Sequence, residues 1–338
     1  MIPVSAPLRH RSGRGAAVFW LTHADRERFL AESSQALAAV GSVVDPREPG
    51  AETALRTMNP EIVVTGWETP PLDPAWLAEP ECGLRYVCHL AGTVRRLVPR
   101  SFLERGGLVT NWGGAAASSV AEHALLLALA SLRDLATWPQ WGVPRDAPFS
   151  RTRSLAGKSV GIYGFGQIAQ ALVGLLRPFD VKLSAFSAGV PRSIFMAQTV
   201  HPSDSLEELM SDSDVFFICE ALTPQTAGSI TAARLELLPP DAVLVNVGRG
   251  RLVDEKALLA RARENHLRVA VDVMEHEPAG PESPLCRIPG VVVSPHIGGP
   301  TREDYPRIGQ AALRNLQRYR QGQPLHHLVT LEIYDRST

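Results

Sequence analysis

The chain has 338 residues, 45% hydrophobic and 20% charged, with 34 Lys and Arg against 35 Asp and Glu for a formal net charge of -1. That length predicts two domains of roughly 100–200 residues each. The composition excludes a disordered chain, and the charge balance offers no field to draw nucleic acid or an anionic membrane. Cys82, Cys88, Cys219 and Cys286 form no C-x-x-C pair; they read as structural thiols of a cytoplasmic protein, with neither a disulfide framework nor a metal site. No run approaches the ~20 apolar residues that span a bilayer. The first fifteen residues, with Arg9, Arg11 and Arg14 but no apolar stretch, read as a loose tail rather than a signal peptide.

Residues 16–21 predict a strand, followed by a helical pattern through Phe29, Leu30, Leu37 and Val40 and a brief strand at 42–44. Strands at 61–67, 84–90 and 108–111 follow, separated by helical stretches, an alternation that implies a parallel sheet covered on both faces. Such sheets bind ligands at the carboxyl ends of their strands, which makes Ala91 and Gly92 candidate substrate contacts through their backbone amides. Residues 118–130 predict a helix that is apolar nearly all round and capped by Ser118 or Ser119, with His123 as a hydrogen-bonded core or interface histidine. Trp138 and Trp141 lie in a proline-bearing connection, expected to cross between domains.

The stretch 157–172 reads as strand, tight turn and helix. Gly164 permits the turn and Gly166 lets a phosphate approach the backbone; the free N–H groups of Gln167 and Ile168 then open a helix toward a pyrophosphate. Ala169 stands at the third small position of this dinucleotide-binding turn. The next strand, 181–186, ends at Ser187, where the fingerprint expects an acid for the ribose 2′-hydroxyl. Asp180 precedes that strand and would lie roughly 20 Å from the cofactor end. A missing carboxylate, with Arg192 in the following loop, tilts the cofactor from NAD(H) toward NADP(H). Strands at 215–219, 242–247, 269–273 and 291–294 complete the second sheet, and their ends gather Thr223, Gly248, Arg249, Asp272 and His296 around one crevice. Residues 305–319 predict a helix with Ile308, Ala311, Ala312, Leu316 and Tyr319 on one face, returning to the first domain.

Five motifs in order carry a resemblance: Ser119-Val120-Ala121-Glu122-His123, the glycine turn, 245–250 with 252–255 after it, 270–273 with Glu277-Pro278, and Ser294-Pro295-His296-Ile297-Gly298-Gly299. Together they resemble the D-isomer-specific 2-hydroxyacid dehydrogenases over nearly the whole chain from about Ala16. The resemblance implies an α/β protein of two Rossmann-like, doubly wound parallel-sheet domains with a cleft between them. Residues 1–115 completed by 301–338 would form the substrate domain, and 116–300 the dinucleotide-binding domain of a homodimer.

The family's catalytic trio maps onto Arg249, Glu277 and His296. Arg249 would grip the substrate carboxylate, His296 would exchange the proton of a 2-keto or D-2-hydroxy acid, and Glu277 would orient and charge the imidazole. Asp272, Val247, Gly248 and Gly298 are expected around the nicotinamide of NAD(P)H. The chain departs from the family's pattern at Ser187, at 218–224, where a His and a Pro are replaced, and at 90–95, which lacks an Asp. Glu277 in place of Gln speaks against a formate dehydrogenase. A hydroxypyruvate or glyoxylate reductase is the narrower reading. The competing functions are a dinucleotide-sensing corepressor and a related oxidation of a small inorganic or phosphonate anion.

Overall fold

A computed structural model of the chain describes residues 16–33, 37, 40–137, 152–264, 266–278 and 280–336. The leading tail, Trp138 and Trp141 lie outside the described residues. Two compact units divide the chain, one built from Met1–Ala115 with Thr301–Thr338 and the other from Ala116–Pro300.

In the first unit five strands, β1 (Ala17–Trp20), β2 (Ser42–Val44), β3 (Ile62–Thr65), β4 (Tyr86–His89) and β5 (Leu108–Thr110), form a sheet of order β2-β1-β3-β4-β5. Every pairing is parallel. Side chains alternate between its two faces, as a pleated strand requires: Val18 and Trp20 enter one core, Ala17 and Phe19 the other. The helix Asp304–Arg320 closes the second core with Ile308, Ala312, Leu316 and Tyr319, while Ala311 is half-buried. Tyr319 stacks on Tyr86 at 5.0 Å, and the helix backbone approaches so closely that a Cβ on Gly309 would lie 1.8 Å from the Phe29 carbonyl oxygen.

The second unit carries β6 (Ser159–Tyr163), β7 (Lys182–Phe186), β8 (His201–Pro202), β9 (Val215–Ile218), β10 (Ala242–Asn246), β11 (Leu267–Val271) and β12 (Val292–Val293). They form one all-parallel sheet of order β12-β11-β10-β9-β6-β7-β8. Both units are Rossmann-like parallel-sheet domains. Strands buried on both faces are apolar throughout, which is why these segments stand out as unbroken runs: Val215 and Phe217 point into one core, Phe216 and Ile218 into the other. The direction of winding reverses between β6 and β9, and in an open sheet that switch point is where a ligand binds. The short edge strand β8, with a proline, was not expected from the sequence.

The helix Ala117–Leu132 starts earlier than expected. Ala116 is its N-cap with no side-chain cap bond, so Ser118 and Ser119 lie inside the first turn instead of capping it. The helix packs Ala121, Ala124, Leu127 and Ala128 into the same core as Val173 and Leu176. Among the described residues, no helix is long and apolar enough to cross a membrane, and all four cysteines are free thiols.

Candidate active site

The glycine turn follows β6 without a break. Gly164 has φ +89° and donates its N–H to the Phe186 carbonyl at 2.8 Å. A Cβ there would meet the Glu220 backbone nitrogen at 2.5 Å, so this position needs glycine for both conformation and space. Gly166 caps the helix Gln167–Leu176 without a side-chain bond, and nothing lies within 4 Å of where its Cβ would be. The first amides of a ten-residue helix, those of Gln167 and Ile168, therefore open beside a bare backbone, a setting that fits a pyrophosphate.

Strand β10 ends in a turn that Asn246 builds. Its side-chain oxygen accepts the Gly248 N–H at 3.0 Å, and its amide nitrogen donates to the Arg249 carbonyl at 3.1 Å. Val247 is buried and donates its N–H to Ile218 on β9. Arg249, half-buried, donates to the Gly248 carbonyl at 2.7 Å. Burial lowers its pKa below the ordinary arginine value, and the Glu277 carboxylate acts in the opposite direction. Gly250 packs against the next strand's loop: a Cβ there would fall 1.9 Å from the Met274 carbonyl carbon. This close approach brings the Arg249 turn beside the segment that bears Glu277.

Glu277 is fixed at one oxygen by the Met274 N–H at 2.9 Å. Its other oxygen meets His296 Nδ1 at 2.5 Å, where the His296 side chain is 47% exposed. His296 has φ +55°. Its N–H donates to the Asp272 carbonyl at 2.9 Å, and the Asp272 carboxylate accepts the N–H groups of Ile297 and Gly298, each at 2.9 Å. Ser294 Oγ donates to the same carboxylate at 2.6 Å and bonds His123 Nε2 at 2.7 Å. Burial pushes the Asp272 carboxyl up, but the bonds from His123, Ser294, Gly298 and Ile297 outweigh it and hold the pKa at about 2. Asp272 thus props the turn that presents His296. His123 is a second support from the long helix, as its reading as a hydrogen-bonded core histidine anticipates.

Other expected positions are placed differently. Thr223 is tied into a turn, its N–H donating to Thr226 Oγ1 at 2.7 Å. Arg192, expected to face a 2′-phosphate, is ion-paired with Asp204 and donates to the Pro202 carbonyl at 3.3 Å. Ser187 Oγ donates to Glu220 Oε2 at 2.9 Å. Ala91 and Gly92 belong to the first unit, at the carboxyl end of β4, where a Cβ on Gly92 would touch the Trp112 ring at 2.9 Å. Asn246, His123, Ser294 and Glu220 were not singled out as site residues. An Asn two residues ahead of a glycine at a strand end is the one signal that sequence offers for them.

A glycine turn at the switch point of a parallel sheet, with an arginine, a glutamate and a histidine gathered at the ends of neighbouring strands, defines a dinucleotide-dependent oxidoreductase class. Residues 124–298 match the NAD binding domain of the D-isomer specific 2-hydroxyacid dehydrogenases. The chain is 31% identical to a glyoxylate reductase of Pyrococcus furiosus over 260 residues, covering 74% of this chain and 77% of that protein. It is 30% identical to a hydroxyphenylpyruvate reductase of Plectranthus scutellarioides over 331 residues, 96% of each chain. The solved D-mandelate dehydrogenase of Rhodotorula graminis superimposes with a TM-score of 0.79 at 23% identity, covering 93% of this chain and 97% of that one. The chain belongs to the D-isomer specific 2-hydroxyacid dehydrogenase family and is an enzyme that interconverts 2-keto and 2-hydroxy acids with a nicotinamide cofactor.

Proposed function

We propose that Arg249 grips the carboxylate of a 2-keto acid while His296 gives a proton to its carbonyl oxygen, with Glu277 fixing the orientation of the imidazole. The observation that carries this reading is the 2.5 Å contact of Glu277 with His296 Nδ1, which leaves Nε2 as the nitrogen that exchanges the proton. A bound nicotinamide supplies the hydride to the carbonyl carbon, or takes it back in the reverse direction. Gly164, Gly166 and the amides of Gln167 and Ile168 would hold its pyrophosphate; Thr223, Val247, Gly248 and Gly298 would surround the rest. Asp272, assigned to the carboxamide by resemblance, is better suited to positioning His296, because both carboxylate oxygens already serve that turn.

The tilt toward NADP(H) rested on Ser187 in place of the ribose-binding acid, with Arg192 as the partner for a 2′-phosphate. That side chain is committed to Asp204 and Pro202, which favours NAD(H) instead. For the substrate, Ala91 and Gly92 keep their proposed role as contacts. Gly92 rests on Trp112, whose ring lies 5.3 Å from Trp67, which in turn packs on Tyr305 at 5.8 Å. This aromatic setting, with the Arg28 guanidinium over the Trp67 and Tyr305 rings, favours a keto acid with an aromatic side chain over glyoxylate or hydroxypyruvate. The unpaired thiols suit the cytoplasm, and Leu126, 57% exposed on the long helix, suits a homodimer.

Nicotinamide absorbance followed with phenylpyruvate, hydroxypyruvate and glyoxylate tests this. Turnover with at least one acid, abolished in His296→Ala, is expected, with the highest kcat/KM for phenylpyruvate. Full activity in His296→Ala would remove the proposed proton carrier.

A further inference from the structure

The acid missing after β7 has a counterpart from another strand. Glu220 follows β9, and its carboxylate oxygen Oε2 receives the hydroxyl of Ser187, which follows β7. Its other oxygen accepts the Ala221 N–H at 3.0 Å. Strands β9 and β7 flank β6 on opposite sides, so this side chain spans the carboxyl end of β6, directly at the switch point. It does so against Gly164, where a Cβ would lie only 2.5 Å from the Glu220 backbone. Glu220 is 9% exposed, and burial, helped by the Glu220 charge, pushes the neighbouring Cys219 thiol up to about 12. Among the described residues no cation is paired with Glu220; its two hydrogen bonds come from one hydroxyl and one amide.

A carboxylate buried at this depth is costly unless its remaining acceptor capacity is used. Each oxygen takes one bond within the chain and retains a lone pair for another donor. In a dinucleotide site, the donors that arrive beside the residue ending the second strand are the hydroxyls of the adenosine ribose. We propose that Glu220, held in place by Ser187, is the carboxylate that receives these hydroxyls, and that it makes the site select NAD(H) over NADP(H). The inference rests on the dinucleotide reading of the glycine turn. Ser187 then ceases to be a gap in the fingerprint and becomes the anchor of an acid delivered from β9. A 2′-phosphate would remove a donor and bring two negative charges against an anion with no cation between them, which gives repulsion in place of a bond.

The test is direct binding of NADH and NADPH to the full chain, read by titration calorimetry and nicotinamide fluorescence without substrate. The unmodified protein should bind NADH at least about tenfold more tightly than NADPH. Glu220→Gln should weaken NADH by roughly ten- to a hundredfold, the range for a hydrogen bond to a charged group, and should leave NADPH unchanged or tighter. Adding Ser187→Asp to Glu220→Gln returns an acid to the end of β7 and should restore the preference for NADH. Tighter binding of NADPH by the unmodified protein, or an unchanged NADH to NADPH ratio in Glu220→Gln, overturns the assignment while the dinucleotide reading stands. Binding of neither nucleotide overturns both.

Discussion

The backbone of His296 hangs on Asp272: the histidine N–H donates to the aspartate carbonyl at 2.9 Å, and the aspartate carboxylate collects the next two amides. A histidine at φ +55° is held in a conformation that costs about 1–2 kcal/mol, so the turn needs this support. Asp272→Asn should lower kcat about tenfold or more while leaving the Kd for NADH nearly unchanged; a raised Kd with unchanged kcat would return Asp272 to the carboxamide. The same variant has a pH signature. The folded pKa of about 2 lies below the ordinary aspartate value of 3.8, so the carboxylate's contribution is present above pH 4 and is lost as pH falls through 2. That difference corresponds to about 2 kcal/mol. Urea unfolding should show Asp272→Asn less stable by about this much at pH 7, and the gap should close as the pH approaches 2.

Glu277 and His296 act as a pair. Glu277→Gln keeps an oxygen that can accept from the Met274 N–H but replaces the carboxylate oxygen that bonds His296 Nδ1. Loss of positioned acid–base catalysis costs about 10²- to 10⁴-fold in general. We expect His296→Asn to fall in that range in kcat, Glu277→Gln to lose roughly tenfold to a hundredfold, and the double variant to lose no more than His296→Asn alone. Additive losses would show that the glutamate works through something other than the histidine.

Much of this was legible before any coordinates, for identifiable reasons. Parallel strands buried on both faces are unbroken apolar runs, so Val215–Ile218 and Ala242–Asn246 announce themselves. The glycine turn is local and carries its own mechanism. Glu277 and His296 were linked only through the resemblance, since the contact between them joins two loops with no local pattern to mark it. The partners of Arg192 and Glu220 were passed over for one reason: a long side chain chooses its partner across strands. Arg192 was drawn to Asp204 and Glu220 to Ser187, and neither partner can be read from the residue's own segment. The helix start at Ala117 misled because two serines followed by Glu122 imitate a cap one turn too late.

In the first unit, His89 at the end of β4 supplies a separate pH test. It is buried, with Nδ1 2.9 Å from Thr65 Oγ1. Burial lowers its pKa to about 4 from the ordinary histidine value of 6.5, although hydrogen bonds with the Thr93 and Thr65 backbone oppose the change. The fold therefore favours the neutral ring. Its contribution is present above pH 6.5 and is lost as pH falls toward 4, about 3 kcal/mol in all. Urea midpoints measured across that window should fall steeply for the unmodified chain and less so for His89→Gln. Parallel curves would place the acid sensitivity elsewhere.

The Arg249 turn separates binding from folding. Arg249→Lys replaces a planar fork by a point charge, so it should raise KM for the keto acid or lower kcat/KM about 10²-fold, with the melting temperature nearly unchanged. Gly250→Ala does the opposite. Its Cβ would sit 1.9 Å from the Met274 carbonyl carbon and 2.1 Å from its oxygen, atoms of backbone that have no rotamer to yield. The two segments must part, at a cost of about 3 kcal/mol or more, which for a unit of this size lowers the melting temperature by roughly 6–12 °C. Because Met274 also fixes Glu277 through its N–H, the parting should carry away activity as well. A Gly250→Ala protein that melts where the parent does, with its activity intact, would mean that the approach of these two loops does not hold the arginine and the glutamate together.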